Sequence, residues 1–176
     1  MEATEPVLER PSNGVGHYLR DIVNGALDGV ITTLAVISGA SGAQLEPRIG
    51  LILGLANLVA DGLSMGASNY LGLKSELQQT GKSAAIEQPW RHGLATSVAF
   101  ALFGAVPLLA YVAQPRGTSI FQIALALSIV ALAIMGRVRA HYLHKPWWRS
   151  AGEVIAIGLA ASGAAYAIGA AAERLT

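Results

Sequence analysis

Residues 53–70, LGLANLVADGLSMGASNY, decide how this chain is read. Their apolar residues are dense enough to continue a bilayer-crossing helix, which needs roughly 20 such residues for a core of about 30 Å. Yet Asp61 lies near the centre of the stretch. A carboxylate at that depth costs about 2.5–3.5 kcal/mol on insertion scales, so its default reading is a site or pathway with a partner.

Working outward, four more segments have the same character. The chain has 176 residues, 53% hydrophobic and only 13% charged, and its mean hydropathy is +0.48. Those values lie well outside the usual range of a water-soluble domain. Candidate spans run from about 22–43, 48–71, 92–113, 118–138 and 151–172, each long enough to cross. The fold class expected is an all-α membrane protein of five transmembrane helices. Residues 1–20 form a polar N-terminal segment, and residues 21–176 form one transmembrane domain. The N-terminal segment holds two prolines and no apolar core, so it does not read as a signal peptide.

The twelve Lys and Arg residues orient the spans. With the N-terminus inside, Arg10, Arg20, Lys74, Lys82, Arg91, Arg137, Arg139, Lys145 and Arg149 are cytoplasmic, leaving Arg48, Arg116 and Arg174 outside. The positive-inside rule therefore places the N-terminus in the cytoplasm and the C-terminus outside. Trp90, Trp147 and Trp148 follow Pro89 and Pro146 at cytoplasmic helix starts, where indoles favour the headgroup boundary. The segments PWRHGLATSVAFALFG and PWWRSAGEVIAIGLAASG echo one another, and the favoured explanation is one interfacial start used twice rather than an ancestral repeat.

At 3.6 residues per turn, span 2 carries Gly50, Gly54, Asn57, Asp61, Met65, Ser68 and Gly72 along one face, with Leu53, Leu55, Leu58, Val59 and Leu63 elsewhere. Span 1 repeats the pattern with Asp21, Gly25, Asp28, Thr32, Ala35, Gly39 and Gly42. The short connection between the two makes them antiparallel neighbours whose stripes face each other or a shared cavity. For the glycines, close helix packing is the favoured explanation. For Asp28 and Asp61 a site is favoured, the competing account being pairing of Asp28 with Arg137 or Arg139. Met65 adds a soft thioether to hard oxygens, a combination that suits Fe²⁺ or Mn²⁺ better than Mg²⁺ or Ca²⁺. Thr32, Asn57, Ser64 and Ser68 are weaker pathway-lining candidates.

The stretches LRDIVNGALDGVITTLAVISGASGA (19–43) and LILGLANLVADGLSMGASNYLGLKSE (51–76) resemble the first two spans of the vacuolar iron transporter family. GAVPLLAY and IMGRVRAHYLHKPWWRSAGEVIAIGLAASGAAYAIG are similar to its later spans. The resemblance implies a five-span homodimer that moves Fe²⁺, and often Mn²⁺, out of the cytosol in exchange for protons, with its pathway at the two-fold axis. It assigns pathway roles to Asp28 and Met65. Two departures stand out. Asn57 occupies the place of a family glutamate, a role that Asp61 could take over from one turn away. The connection LKSELQQTGKSAAIEQPW also lacks the family's Glu-rich cytosolic insertion.

A replacement for that insertion would be a loose cytoplasmic mouth of His92, His141 and His144 with Glu76 and Glu87, because imidazole and carboxylate bind such metals. His17 lies on the same side. The expected cargo is thus Fe²⁺ or Mn²⁺ with no permanently bound cofactor. The expected partners are a second copy of the chain, the lipid bilayer, the metal ion and protons, and no nucleic acid. A bacterial cytoplasmic membrane is favoured over an organellar one because the chain is compact and shows no targeting sequence. The alternative function is a non-transporting membrane dimer for binding or assembly. Enzyme chemistry is not expected: the absence of cysteine excludes thiolate sites and disulfides, and there is no His-Glu-x-x-His pattern and no plausible Ser, His and Asp set.

Overall fold

The structure is a computed structural model that describes residues 15–81, 87–113 and 119–175. The first fourteen residues of the N-terminal segment lie outside the described residues, as do Lys82 and Arg116 of the charge pattern. Five helices form the fold: α1 Val15–Gly42, α2 Pro47–Thr80, α3 Pro89–Ala113, α4 Ile120–Leu143 and α5 Trp147–Glu173. All five are long and apolar enough to cross a membrane. The other four helices all pack against α1.

Each helix begins or extends beyond its expected span, most of all α2. Its 34 residues reach about 51 Å at 1.5 Å per residue, well past a hydrocarbon core of about 30 Å. The extra turns carry Lys74, Ser75, Glu76 and Thr80 into the segment expected to be connection, ending at Gly81 in the left-handed conformation (φ 67°). Pro89 and Pro146 stand at the starts of α3 and α5, where a missing N–H costs nothing. Trp90, Trp147 and Trp148 are all exposed there, and Arg91 and Arg149 lie over the rings of Trp90 and Trp148. The two Pro-Trp segments that echo one another both fall at helix starts. Their glycines are not equivalent, since Gly93 packs on α2 and Gly104 on α1 and α2, while Gly152 and Gly163 face open space.

α1 is the central helix, touching all four others. Val30, Leu34 and Ile37 are fully buried in it, among a core that includes Phe100, Leu132 and Met135. Gly25 and Gly29 bring α1 onto α3 so closely that an added Cβ would collide with the backbone oxygens of Thr96 and Phe100. At the far end Gly42 lies against the Tyr166 backbone, and Gly169 of α5 lies against Gly39. Between these contacts Ser38 donates to the Leu34 carbonyl (2.7 Å), so its oxygen accepts from Ser162 of α5 (2.7 Å). These are the close helix contacts that small residues permit in a bilayer.

α2 packs more extensively on α3 than on α1, which corrects part of the sequence reading. Its buried edge is Gly50, Gly54, Leu58, Gly62 and Gly66, a ridge displaced from the polar residues. Asn57, Asp61 and Met65 flank that ridge and are half-buried, whereas Ser64, Ser68 and Gly72 are exposed. The single stripe is therefore two: glycines toward α3 and polar residues along the α1 boundary.

Candidate functional site

Polar groups are matched between α1 and α2 turn by turn. Asn57 donates to the Thr32 hydroxyl (3.3 Å). One turn along, Asp28 and Asp61 are within electrostatic reach of each other, and both are half-buried. Two turns further, Asn69 donates to the Asp21 carboxylate (2.9 Å). Met65 lies between the last two levels, half-buried against the cluster that contains Leu58 and Phe100. The expectation that the two stripes face each other is met at Thr32–Asn57, and Asp28 and Asp61 lie within electrostatic reach of each other one turn along.

The competing explanation for Asp28 is not met. Arg139 pairs with Glu153 of α5 (2.9 Å), and Arg137 is exposed beside a groove near the end of α4. Among the described residues no basic side chain forms an ion pair with Asp28 or Asp61. Two half-buried carboxylates in membrane-capable helices thus lie within electrostatic reach of one another with no ion-paired cation among the described residues.

The histidines divide into two groups, against the expectation of one mouth. His141 and His144 line the groove with Arg137 and Lys145, a surface whose neighbouring charges are positive. His92 instead meets His17 and Glu87 where α1 and α3 begin. His17 Nε2 lies 3.1 Å from His92 Nε2 and 3.2 Å from Glu87 Oε2. Glu76 is exposed and lines the neighbouring hollow, of ≈ 440 Å³, with His17, Asp21 and His92.

Behind this group stands a network that the sequence reading did not assemble. His92 Nδ1 bonds Asp21 Oδ2 at 2.6 Å, and both residues are buried. The Asn69 amide group also reaches the Thr96 hydroxyl (2.7 Å) and the His92 carbonyl (3.3 Å). Asn69 therefore ties α1, α2 and α3 together at one level. Two signals were present: His17 and Asp21 are four apart on one helix face, and Asn69 follows Met65 by one turn.

The model of the VIT family matches residues 19–88 and 76–170, nearly all of the bundle. The chain belongs to the VIT family. The two matched stretches meet and overlap at the end of α2 and the residues before α3, where the expected insertion is missing. Similar proteins include a "Vacuolar iron transporter" of Toxoplasma gondii, 37% identical over 75 residues, which are 43% of this chain and 25% of that protein. "Vacuolar iron transporter 1" of Arabidopsis thaliana is 24% identical across 87% of this chain and 85% of its own length. That alignment runs over 213 positions, more than this chain's 176 residues, so the Arabidopsis protein carries insertions relative to it. "Vacuolar iron transporter homolog 5" of Oryza sativa is 29% identical over 164 positions, covering 86% of this chain and 79% of that protein. A compact member of the family is therefore not peculiar to this sequence.

Proposed function

We propose that this family member is a divalent transition-metal transporter whose pathway follows the α1–α2 boundary, with Fe²⁺ as cargo and Mn²⁺ as a second substrate. The observation that carries this reading is the couple Asp28 and Asp61 inside two membrane-spanning helices, without an ion-pair partner among the described residues. Each carboxylate costs about 2.5–3.5 kcal/mol at such a depth, and a divalent cation supplies the charge that no described side chain does. Thr32 and Asn57 offer oxygens one turn further on, and Met65 offers the soft ligand that favours a first-row transition metal. The relatives named as vacuolar iron transporters support iron and a non-enzymatic role.

The dimer belongs to this proposal. α2 keeps Ser64 and Ser68 exposed beside Leu63 and Val59 on a face with little packed against it. A second copy across a two-fold axis would cover those hydroxyls and present Asp28, Asp61 and Met65 twice to one ion. With the N-terminus in the cytoplasm, metal leaves the cytosol and protons return. A bound divalent cation favours the ionised carboxylates, and its departure favours their protonation, so the same groups couple both flows. The compactness of the chain and its missing insertion are grounds for a bacterial cytoplasmic membrane. The rice relative weakens that argument, and the vacuolar names of the relatives favour an organelle.

The alternative, a non-transporting assembly dimer, required Asp28 to pair with Arg137 or Arg139, and Arg139 is engaged by Glu153. The deciding measurement is Fe²⁺ and Mn²⁺ uptake into proteoliposomes under an imposed pH gradient. The wild-type chain should accumulate metal as the gradient collapses, and Asp28→Ala should reduce the rate at least tenfold. An Asp28→Ala protein moving metal at the wild-type rate would remove the assignment.

A further inference from the structure

We propose that His17, His92 and Glu87 form a second metal site, distinct from the Asp28–Asp61 couple, which holds one first-row divalent ion at the end of the bundle where α1 and α3 begin. As an entry site it rests on the transport reading above; as a binding site it stands on its own geometry. The three ligand atoms lie within 4.8 Å of one another. Around an ion about 2.1 Å from each nitrogen or oxygen, neighbouring ligand atoms sit about 3.0 Å apart at right angles and about 3.4 Å apart in a tetrahedron. The distances from His17 Nε2, 3.1 Å to His92 and 3.2 Å to Glu87, fall inside that interval. Two imidazoles and a carboxylate are the donor set that suits Fe²⁺, Mn²⁺, Co²⁺ or Zn²⁺ rather than Ca²⁺.

The arrangement behind His92 is what a metal-ligating histidine requires. A carboxylate only accepts, so Asp21 at 2.6 Å takes a hydrogen bond from His92 Nδ1 and turns Nε2 toward His17, the orientation in which that nitrogen can ligate. Asp21 is itself held by Asn69. Access is graded: the side chains of His17 and Glu87 are 25% and 31% exposed, and that of His92 only 9%. An ion can therefore meet the outer pair first and be fixed by the inner histidine. Without metal, a proton on His17 Nε2 can bridge its two neighbours, so the cluster survives empty.

The site also stands in line with the proposed pathway. Asp21 and Asp28 are seven residues apart, about 10 Å along α1, on the side that meets α2. The hollow containing Glu76 and Ser68 adjoins the cluster from the α2 side. A bound ion at His17–His92–Glu87 would sit next to the Asp21–Asn69 level of the α1–α2 boundary, and this chain would collect metal on its bundle rather than on an inserted domain.

The test titrates full-length protein in detergent with Co²⁺, whose visible absorption reports nitrogen ligation, and follows each variant's thermal melting to confirm folding. Wild type should show one saturable histidine-bound Co²⁺ per chain. His17→Ala and Glu87→Gln, both at the open edge, should weaken it at least tenfold. Asp21→Asn should weaken it about 10–100-fold through the positioning of His92. The double variant Asp28→Asn, Asp61→Asn should leave this spectrum intact. In proteoliposomes, Glu87→Gln should raise the Michaelis constant for metal and leave the maximal rate unchanged. A folded His17→Ala, Glu87→Gln protein that titrates like wild type overturns the site, whether or not the chain transports. Loss of the Co²⁺ signal in that variant, with a wild-type protein that moves no metal, keeps the site and overturns the transport reading.

Discussion

Where α1 crosses α3, Gly25 and Gly29 let backbone meet backbone; where it faces α2, Asp28, Thr32, Asp61 and Asn57 meet instead. The first contact is dry and leaves no room for adjustment. The second holds ionisable and hydrogen-bonding groups that remain half-buried and can accept a ligand. A bilayer offers no hydrophobic drive between helices, so tight packing must come from small residues, and polar residues at depth must be retained for another purpose. In this bundle one helix serves both needs on different sides.

The largest expected effect is on the dry side. Gly29→Val places a Cβ against the Phe100 carbonyl oxygen and the Gly104 backbone, where no rotamer change can make space. Overpacking costs typically about 1–3 kcal/mol and more when backbone must move. The variant should lose most of its folded, monodisperse population in detergent, as read by size-exclusion chromatography and thermal melting. A Gly29→Val protein as stable as wild type would show that the α1–α3 contact is looser than the structure has it.

Asp61→Asn should do the reverse on the polar side. It keeps the shape of the side chain, removes one of two facing charges and leaves no cation orphaned among the described residues. Transport should fall about tenfold while the melting temperature holds or rises, because a membrane charge without a protein partner has been deleted. A fall in stability together with retained transport would instead make Asp61 a structural lock and move the metal site away from it.

The same comparison explains what could be read from the sequence. Five spans follow from hydropathy alone, and the Asp28–Asp61 level follows from a short connection and helical spacing, because both are properties of one or two adjacent helices. The face of α2 was harder. Gly50 and Gly54 lie close enough on the helical wheel to Asn57, Asp61 and Met65 to read as one stripe, and only the position of α3 separates them. The partner of His92 was out of reach for the same reason. Asp21, Asn69 and His92 come from three helices, and their meeting depends on the tilt and depth at which α3 enters. His141 and His144 could be grouped with His92 by predicted side of the membrane, but position around the bundle divides them.

The smallest expected effect concerns Asn57. Among the described residues its amide makes one hydrogen bond, 3.3 Å to a hydroxyl that can turn back to a carbonyl in its own helix, so Thr32 is not left orphaned by a truncation. Interhelical hydrogen bonds in membranes average about 0.6 kcal/mol. For a chain of this size that is about 1–2 °C of melting temperature. Asn57→Ala should shift the melt by no more than this. Asn69→Ala should cost clearly more, because Asn69 holds Asp21, the Thr96 hydroxyl and the His92 carbonyl at once. If the two asparagines prove equal, the Asn69 level is no more rigid than the one at Asn57. If Asn57→Ala is neutral in stability but slows metal uptake, Asn57 is kept for the oxygen it offers the ion, as expected of a residue on the polar side of α1 and not of one on the dry side.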